Sequence, residues 1–311
     1  MTEPAGRWDR LPSVKHWSET QRGIVFFVLA MAFFAALDTT VKYVSAFVPI
    51  VTTLWLRYLF QTLISAGMLM PSRGRAIWRV KKPGLVFLRG ALMAISSGLA
   101  FISLSLMPVA EFSAIIMLTP MALALVSALA LKQHVSWQLW LLLAGALAGA
   151  LMVAQPGSND LAWVTLLPVL LIVLNVAYQL LTAHLAPDVE AGTLHFYSGL
   201  VSVFLATLAI PWGWQWPPSW EIWALVLLLS LFSAVGHYML VLAYGLAGPT
   251  TLSPFLYFQL AFATLAGWLV FSHAPNAWAW LGMVLIAVCG IASTRLPGPR
   301  SRLPAQTEPQ L

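Results

Sequence analysis

Ten runs of apolar residues divide the chain, near 24–47, 50–70, 84–106, 109–131, 135–154, 161–183, 193–211, 221–246, 249–271 and 277–294. Each is close to the 20 or so residues that a helix needs to cross a bilayer. The runs are continuous rather than alternating, which predicts helices and not the strands of a barrel. Turn residues separate them: Pro49, the stretch from Pro71 to Pro83, Pro108, Gln155-Pro156-Gly157, Pro187, Pro217-Pro218, Gly248-Pro249 and Pro275. The pattern predicts an all-α membrane protein with ten transmembrane helices. The first run is longer than the apolar part of a secretory signal and lacks a clear small-residue cleavage site, so it is read as the first span.

Composition agrees with the pattern. Of 311 residues, 60% are hydrophobic and 8% charged, where a soluble domain carries about 25% charged residues. Mean hydropathy is +0.85. The net charge of +6 comes from basic residues between apolar runs, which is a topology signal and not a nucleic-acid footprint. With the N-terminus inside, Arg7, Arg10, Lys15, Arg22, Arg73, Arg75, Arg79, Lys81, Lys82, Arg89, Lys132, Arg295, Arg300 and Arg302 all fall on one side. Lys42 and Arg57 lie within spans. This asymmetry predicts a bacterial inner-membrane protein with both termini cytoplasmic. The tails are residues 1–22 and 296–311, the latter read as disordered. Trp212, Trp214, Trp216 and Trp220 fit an outer interfacial belt. The lone Cys289 reads as a packing residue, and no cofactor or metal set is expected.

The chain also repeats. Residues 23–155 and 161–295 each hold five predicted spans. Asp38-x-x-x-Lys42 falls on Asn175-x-x-x-Gln179, and Ser45 on Thr182. Five is odd, so the second half must enter the membrane upside down. Two inverted-topology five-helix repeats place a substrate site near the midplane, between the halves.

Four features resemble the EamA family of the drug/metabolite transporter superfamily. They are the five-plus-five plan; the first-span stretch Ala36-Leu37-Asp38-Thr39-Thr40-Val41-Lys42-Tyr43; Trp55-Leu56-Arg57-Tyr58 in the second; and the run ending Leu118-Thr119-Pro120 with its echo from Ala243 to Leu260. The resemblance covers about residues 22–295. It implies transport of amino acids, drugs, vitamins or nucleoside-like cofactors, without fixing which. Members often carry a glutamate at the cytoplasmic end of the fourth and ninth helices. Gln133 and His273 stand in that neighbourhood here, so its role does not carry over.

Charges within spans cost about 2.5–3.5 kcal/mol each on insertion scales and persist when paired or lining a wet cavity. Asp38 and Lys42 are four apart and share a helix face. Arg57 and Glu111 lie at similar depth, in the outer half. Either these four bind a substrate carboxylate, phosphate or amine and a coupling proton, or they form an ion-pair network that sets helix register. Asn175, Tyr178 and Gln179 in the sixth span are the second-half candidates, facing Asp38 and Lys42, or else interhelical glue. His237 is a candidate proton relay or a packed histidine. Trp55, Tyr58, Tyr197, Tyr257 and Phe258 are candidate stacking partners for a planar or cationic ligand. Gly145-x-x-x-Gly149 predicts a close helix crossing, and Pro120, Pro254 and Pro168 predict kinks.

The function these features predict is secondary transport of a small zwitterionic or anionic metabolite by alternating access. The partners are that solute, a proton as possible coupling ion, and lipid, with the chain a monomer or homodimer. No G-x-x-x-x-G-K-[ST] loop supplies ATP binding. The competing readings are an integral membrane enzyme acting on a lipid and a non-transporting membrane subunit. Neither H-E-x-x-H nor G-x-S-x-G occurs, so the chain is not expected to be an enzyme.

Overall fold

The computed structural model describes residues 17–74, 80–106, 115–130, 135–154, 164, 166–272 and 274–296. Ten helices of twelve residues or more run through them: α1 (Glu19–Val44), α2 (Ile50–Arg73), α3 (Pro83–Leu106), α4 (Thr119–Ala130), α5 (Trp137–Ala154), α6 (Leu166–Leu185), α7 (Ala191–Ala209), α8 (Trp220–Leu246), α9 (Phe258–Phe271) and α10 (Ala277–Ser293). Among the described residues there is no strand.

Local signals fix the ends. Ser18 caps α1 through a reciprocal pair: its Oγ accepts from the Gln21 N–H, and Gln21 Oε1 accepts from the Ser18 N–H. Asn276 caps α10 by accepting from the Ala279 N–H. Within the helices, Thr62, Ser65, Thr182, Ser198 and Ser230 each donate to the carbonyl four residues back. Hydroxyls thus enter the interior already satisfied.

Six segments are long and apolar enough to cross a bilayer: α1, α3, α6, α7 with the turn after it, α8, and the ninth segment from Pro249. Three more, α4, α5 and α10, are apolar but shorter. Helix α2 falls short on hydropathy and not on length. Thr53, Arg57, Gln61 and Ser65 recur every four residues along it, and all are buried. One face of α2 is polar and turned inward. The outward faces are apolar: Leu129, Trp137 and Leu269 stand exposed, as lipid-facing surface does. Trp55, Trp214, Trp216 and Trp223 touch ring to ring in a chain.

The principal packing pairs are α1 with α8 and α9, α3 with α6, α4 with α6, α2 with α8, α3 with α7, α2 with α7, and α5 with α10. Exchange each helix with the one five later and the set is unchanged. Two pairs exchange with themselves, and small residues close both crossings. A Cβ on Gly199 of α7 would lie 2.5 Å from Thr62 Oγ1 on α2. A Cβ on Gly149 of α5 would lie 2.7 Å from the Gly282 carbonyl oxygen on α10, and one on Gly282 would strike the Gly149 carbonyl in return. This is the crossing that Gly145-x-x-x-Gly149 predicts. Gly145 itself meets Cys289 Sγ.

The prolines divide. Pro254 lies in a 3-10 turn, Ser253–Tyr257, between the short helix Pro249–Leu252 and α9, so the ninth span is broken there. Pro120 is the second residue of α4, just after a turn at 117–118, so the fourth span is interrupted at the matching place. The short helix and the 3-10 turn pack against α4. Pro168 makes no kink. It is the third residue of α6, where a missing N–H breaks no helical bond.

Candidate functional site

The inward face of α2 is one wall. Arg57 is 6% exposed, and its Nη2 donates to Ser97 Oγ on α3 at 3.1 Å. One turn deeper, Gln61 is fully buried, and its Oε1 accepts from Ser233 Oγ of α8 at 3.0 Å. Ser233 in turn offers its carbonyl to His237 Nδ1 at 2.9 Å. Two groups on this wall have no partner among the described residues: Arg57 Nε and Gln61 Nε2.

Asp38 is exposed, and its Oδ2 accepts from Gln259 Nε2 of α9 at 2.8 Å. Arg57 also acts on it electrostatically. The hydrogen bond aims the carboxylate at α9. Lys42 lies exposed in the last turn of α1. Glu111 lies outside the described residues.

A second charged centre sits on α3. Arg89 is fully buried. Its Nε donates to Thr182 Oγ1 and its Nη2 to Tyr178 OH, both at 2.8 Å, while Nη1 donates to the Leu194 carbonyl and to Ser198 Oγ. The guanidinium also lies 4.8 Å from the Tyr178 ring centroid. One side chain thus ties α3 to α6 and α7. Beside it His195 of α7 is 3% exposed, and neither ring nitrogen has a partner among the described residues. Its ring stacks on His237 at 6.3 Å. The His237 ring also meets Phe34 at 4.7 Å and Tyr178 at 6.3 Å.

The structure therefore brings Asp38, Arg57, Tyr178 and His237 of the sequence candidates into one connected interior. Asn175 is half-buried on α6. Gln179 is bonded elsewhere: its Oε1 accepts from Tyr244 OH at 2.5 Å, so it ties α6 to α8. Tyr257 is fully buried among Ala124, Leu139, Leu143, Ala146 and Ile286, apart from the charged groups. Trp55 donates to Thr207 and packs on Trp214. Phe258 stacks on Phe255. Gln133 and His273 lie outside the described residues.

Three interior residues escaped sequence reasoning. Arg89 lies just beyond the basic loop in the sequence, yet α3 starts at Pro83 and carries it inside. Gln61 was visible as the next step of the Arg57 stripe. His195 had no signal in the chain. Outside the spans, Lys82 Nζ donates to Asp188 Oδ2 at 2.7 Å, joining the start of α3 to the turn after α6. That hydrogen bond and the Lys82 charge hold the Asp188 carboxyl below its ordinary range. Among the described residues, no three His, Cys, Asp or Glu side chains gather to hold a metal.

An apolar helical bundle with a charged, partly unsatisfied interior defines an all-α membrane protein. Residues 21–155 match the model of the EamA-like transporter family. The riboflavin transporter of Rhizobium johnstonii is 34% identical over 57% of this chain and 59% of its own length. The chain thus matches about three-fifths of that relative. The pseudopaline exporter CntI of Pseudomonas aeruginosa is 29% identical over 88% of this chain and 96% of its own. One solved crystal structure has the same fold, with a TM-score of 0.78 and 17% identity over 88% of this chain and 96% of its own.

Proposed function

We propose that this chain is a secondary transporter, not an enzyme. It moves a small zwitterionic or anionic metabolite across a bacterial inner membrane by alternating access. The observation that carries the reading is the Asp38–Gln259 hydrogen bond, beside buried Arg57, inside a bundle whose outer faces are apolar. Charges at that depth are costly unless they serve a solute or ion path. The named activities of the relatives, transport of riboflavin and export of pseudopaline, support the class. The matched interruptions at Pro120 and Pro254 support a site between two inverted halves, because broken helices free backbone groups for binding. Both termini are cytoplasmic in this reading, and Asp38 is the candidate for proton coupling.

The test is flux in proteoliposomes, using amino acids, riboflavin and nucleoside derivatives with and without an imposed pH gradient. Saturable flux of one solute supports the reading, and a response to the gradient supports coupling. A folded protein that moves none of them overturns it for those classes. The sign of the gradient effect gives the direction.

A further inference from the structure

We infer that the interior binds an oxyanion, a carboxylate or phosphate carried by the solute, through Arg57 and Gln61 of α2, and that His195 of α7 contacts a second polar group of the same solute. This rests on the transporter reading and goes beyond it by naming the ligand chemistry and two residues that no sequence motif marks.

The argument starts from what is left unmade. Arg57, Gln61 and His195 are each more than nine-tenths buried. Arg57 Nε, Gln61 Nε2 and both His195 ring nitrogens have no partner among the described residues. A buried donor left unpaired is destabilising, and each such group in a native structure calls for a cause. Arg57 Nε and Gln61 Nε2 are donors only, so what is missing is an acceptor. They lie four residues apart on one face of α2, about 6 Å between their Cβ atoms, within reach of one carboxylate or phosphate.

Charge selects an anion over a neutral acceptor. Arg57 and Arg89 both lie inside the bundle, and among the described residues Asp38 is the one acid there away from a helix end. Arg89 is engaged by Tyr178, Thr182, Leu194 and Ser198. Among the described residues Arg57 makes one side-chain hydrogen bond, to Ser97, and Asp38, with which it interacts electrostatically, accepts its own hydrogen bond from Gln259. A neutral carbonyl would satisfy the donors and leave the positive excess. An oxyanion answers both, and Arg provides it a fork.

His195 is placed by the helix crossing. Gly199 faces Thr62 and Gly192 faces Leu69, so α2 and α7 run antiparallel and His195 lies about one turn deeper than Thr62. A neutral imidazole offers one donor and one acceptor, which suits a hydroxyl or amide further along the solute.

The experiment compares matched probes on the full chain in nanodiscs: glutarate against glutaramide, and riboflavin 5′-phosphate against riboflavin. Dissociation constants are taken from thermal stabilisation. The expected result is that in at least one pair the anionic member binds about tenfold or more tightly than the neutral one, the worth of one charge-assisted hydrogen bond. Arg57→Gln should abolish that preference, Arg57→Lys should keep part of it, and Gln61→Leu should weaken it while the Gly67→Ala control leaves it intact. No preference in either pair, no binding by either anionic probe, or a preference that survives Arg57→Gln overturns the inference. Should Arg57→Gln fail to fold, Arg57→Lys and Gln61→Leu decide: unchanged preference in both overturns it. Flux separates this from the transporter reading. Transport that ignores solute charge sinks the anion site alone, whereas anion binding without flux of any solute sinks the transporter.

Discussion

Arg57 and Arg89 are the same residue type in the same interior, and their partners separate their roles. Arg89 is a tie between helices. Replacing it with methionine removes donors that Tyr178, Thr182 and Ser198 use, and should cost about 3 kcal/mol. Arg89→Lys should recover little, because an ammonium cannot span the fork that reaches α6 and α7 together. Thermal unfolding in detergent reads both variants; a lysine variant as stable as the parent would show that charge, not geometry, is what α3 supplies. Asp38 is the converse case, exposed and held by a single side chain of α9. Asp38→Asn should insert and fold normally while flux falls about tenfold or more, measured per molecule in liposomes. Normal flux in that variant removes Asp38 from the site. Asp38 and Arg57 were legible from the chain because a charge inside an apolar run is conspicuous. Arg89 was not: it follows a basic stretch by seven residues, and only the start of α3 at Pro83 shows that it is inside.

At the level of single helices, periodicity carried most of the information. Helix α2 reads as apolar with a charge in it, yet the four-residue recurrence of Thr53, Arg57, Gln61 and Ser65 already marks one face as inward. Partner helices are harder to read. The glycines at 145 and 149 announce a close crossing, but nothing local names α10 as its other side. The crossing gives its own test. Gly149→Leu or Gly282→Leu forces a side chain into the facing carbonyl and should destabilise the bundle by about 1–3 kcal/mol or more. Gly67, with nothing within 4 Å of a Cβ, should accept alanine without loss. Size-exclusion profiles and melting temperatures of the three variants check this; a Gly149→Leu protein that melts with the parent would place α5 and α10 further apart. The prolines teach a similar lesson. Pro168 and Pro254 look alike in the sequence, but one starts a helix and the other breaks one, and the difference is only where the preceding apolar run takes up its first hydrogen bond.

Across the whole molecule, counting apolar runs was enough to expect ten helices, as the described residues hold, and the interior was not legible, because it is built from residues far apart in the chain. Tyr178 meets Arg89, Gln61 meets Ser233 and Asp38 meets Gln259, each pair joining one half to the other. The main packing pairs are the same set under exchange of the halves, and an odd number of helices per half makes inversion the arrangement in which both halves share one bilayer. That reasoning fixes the sidedness of every loop once one is known. With the basic N-terminal tail inside, reporter fusions after Pro156 and after Trp216 should both read as periplasmic. The first falls after five spans and the second after seven, so the two report odd crossings counted through different halves. A cytoplasmic result after Pro156 alone would mean that one of the first five spans, α2 being the least apolar of the long ones, does not cross. A cytoplasmic result at both places would instead reverse the whole bundle, and would put Asp38 and Arg57 near the inner mouth.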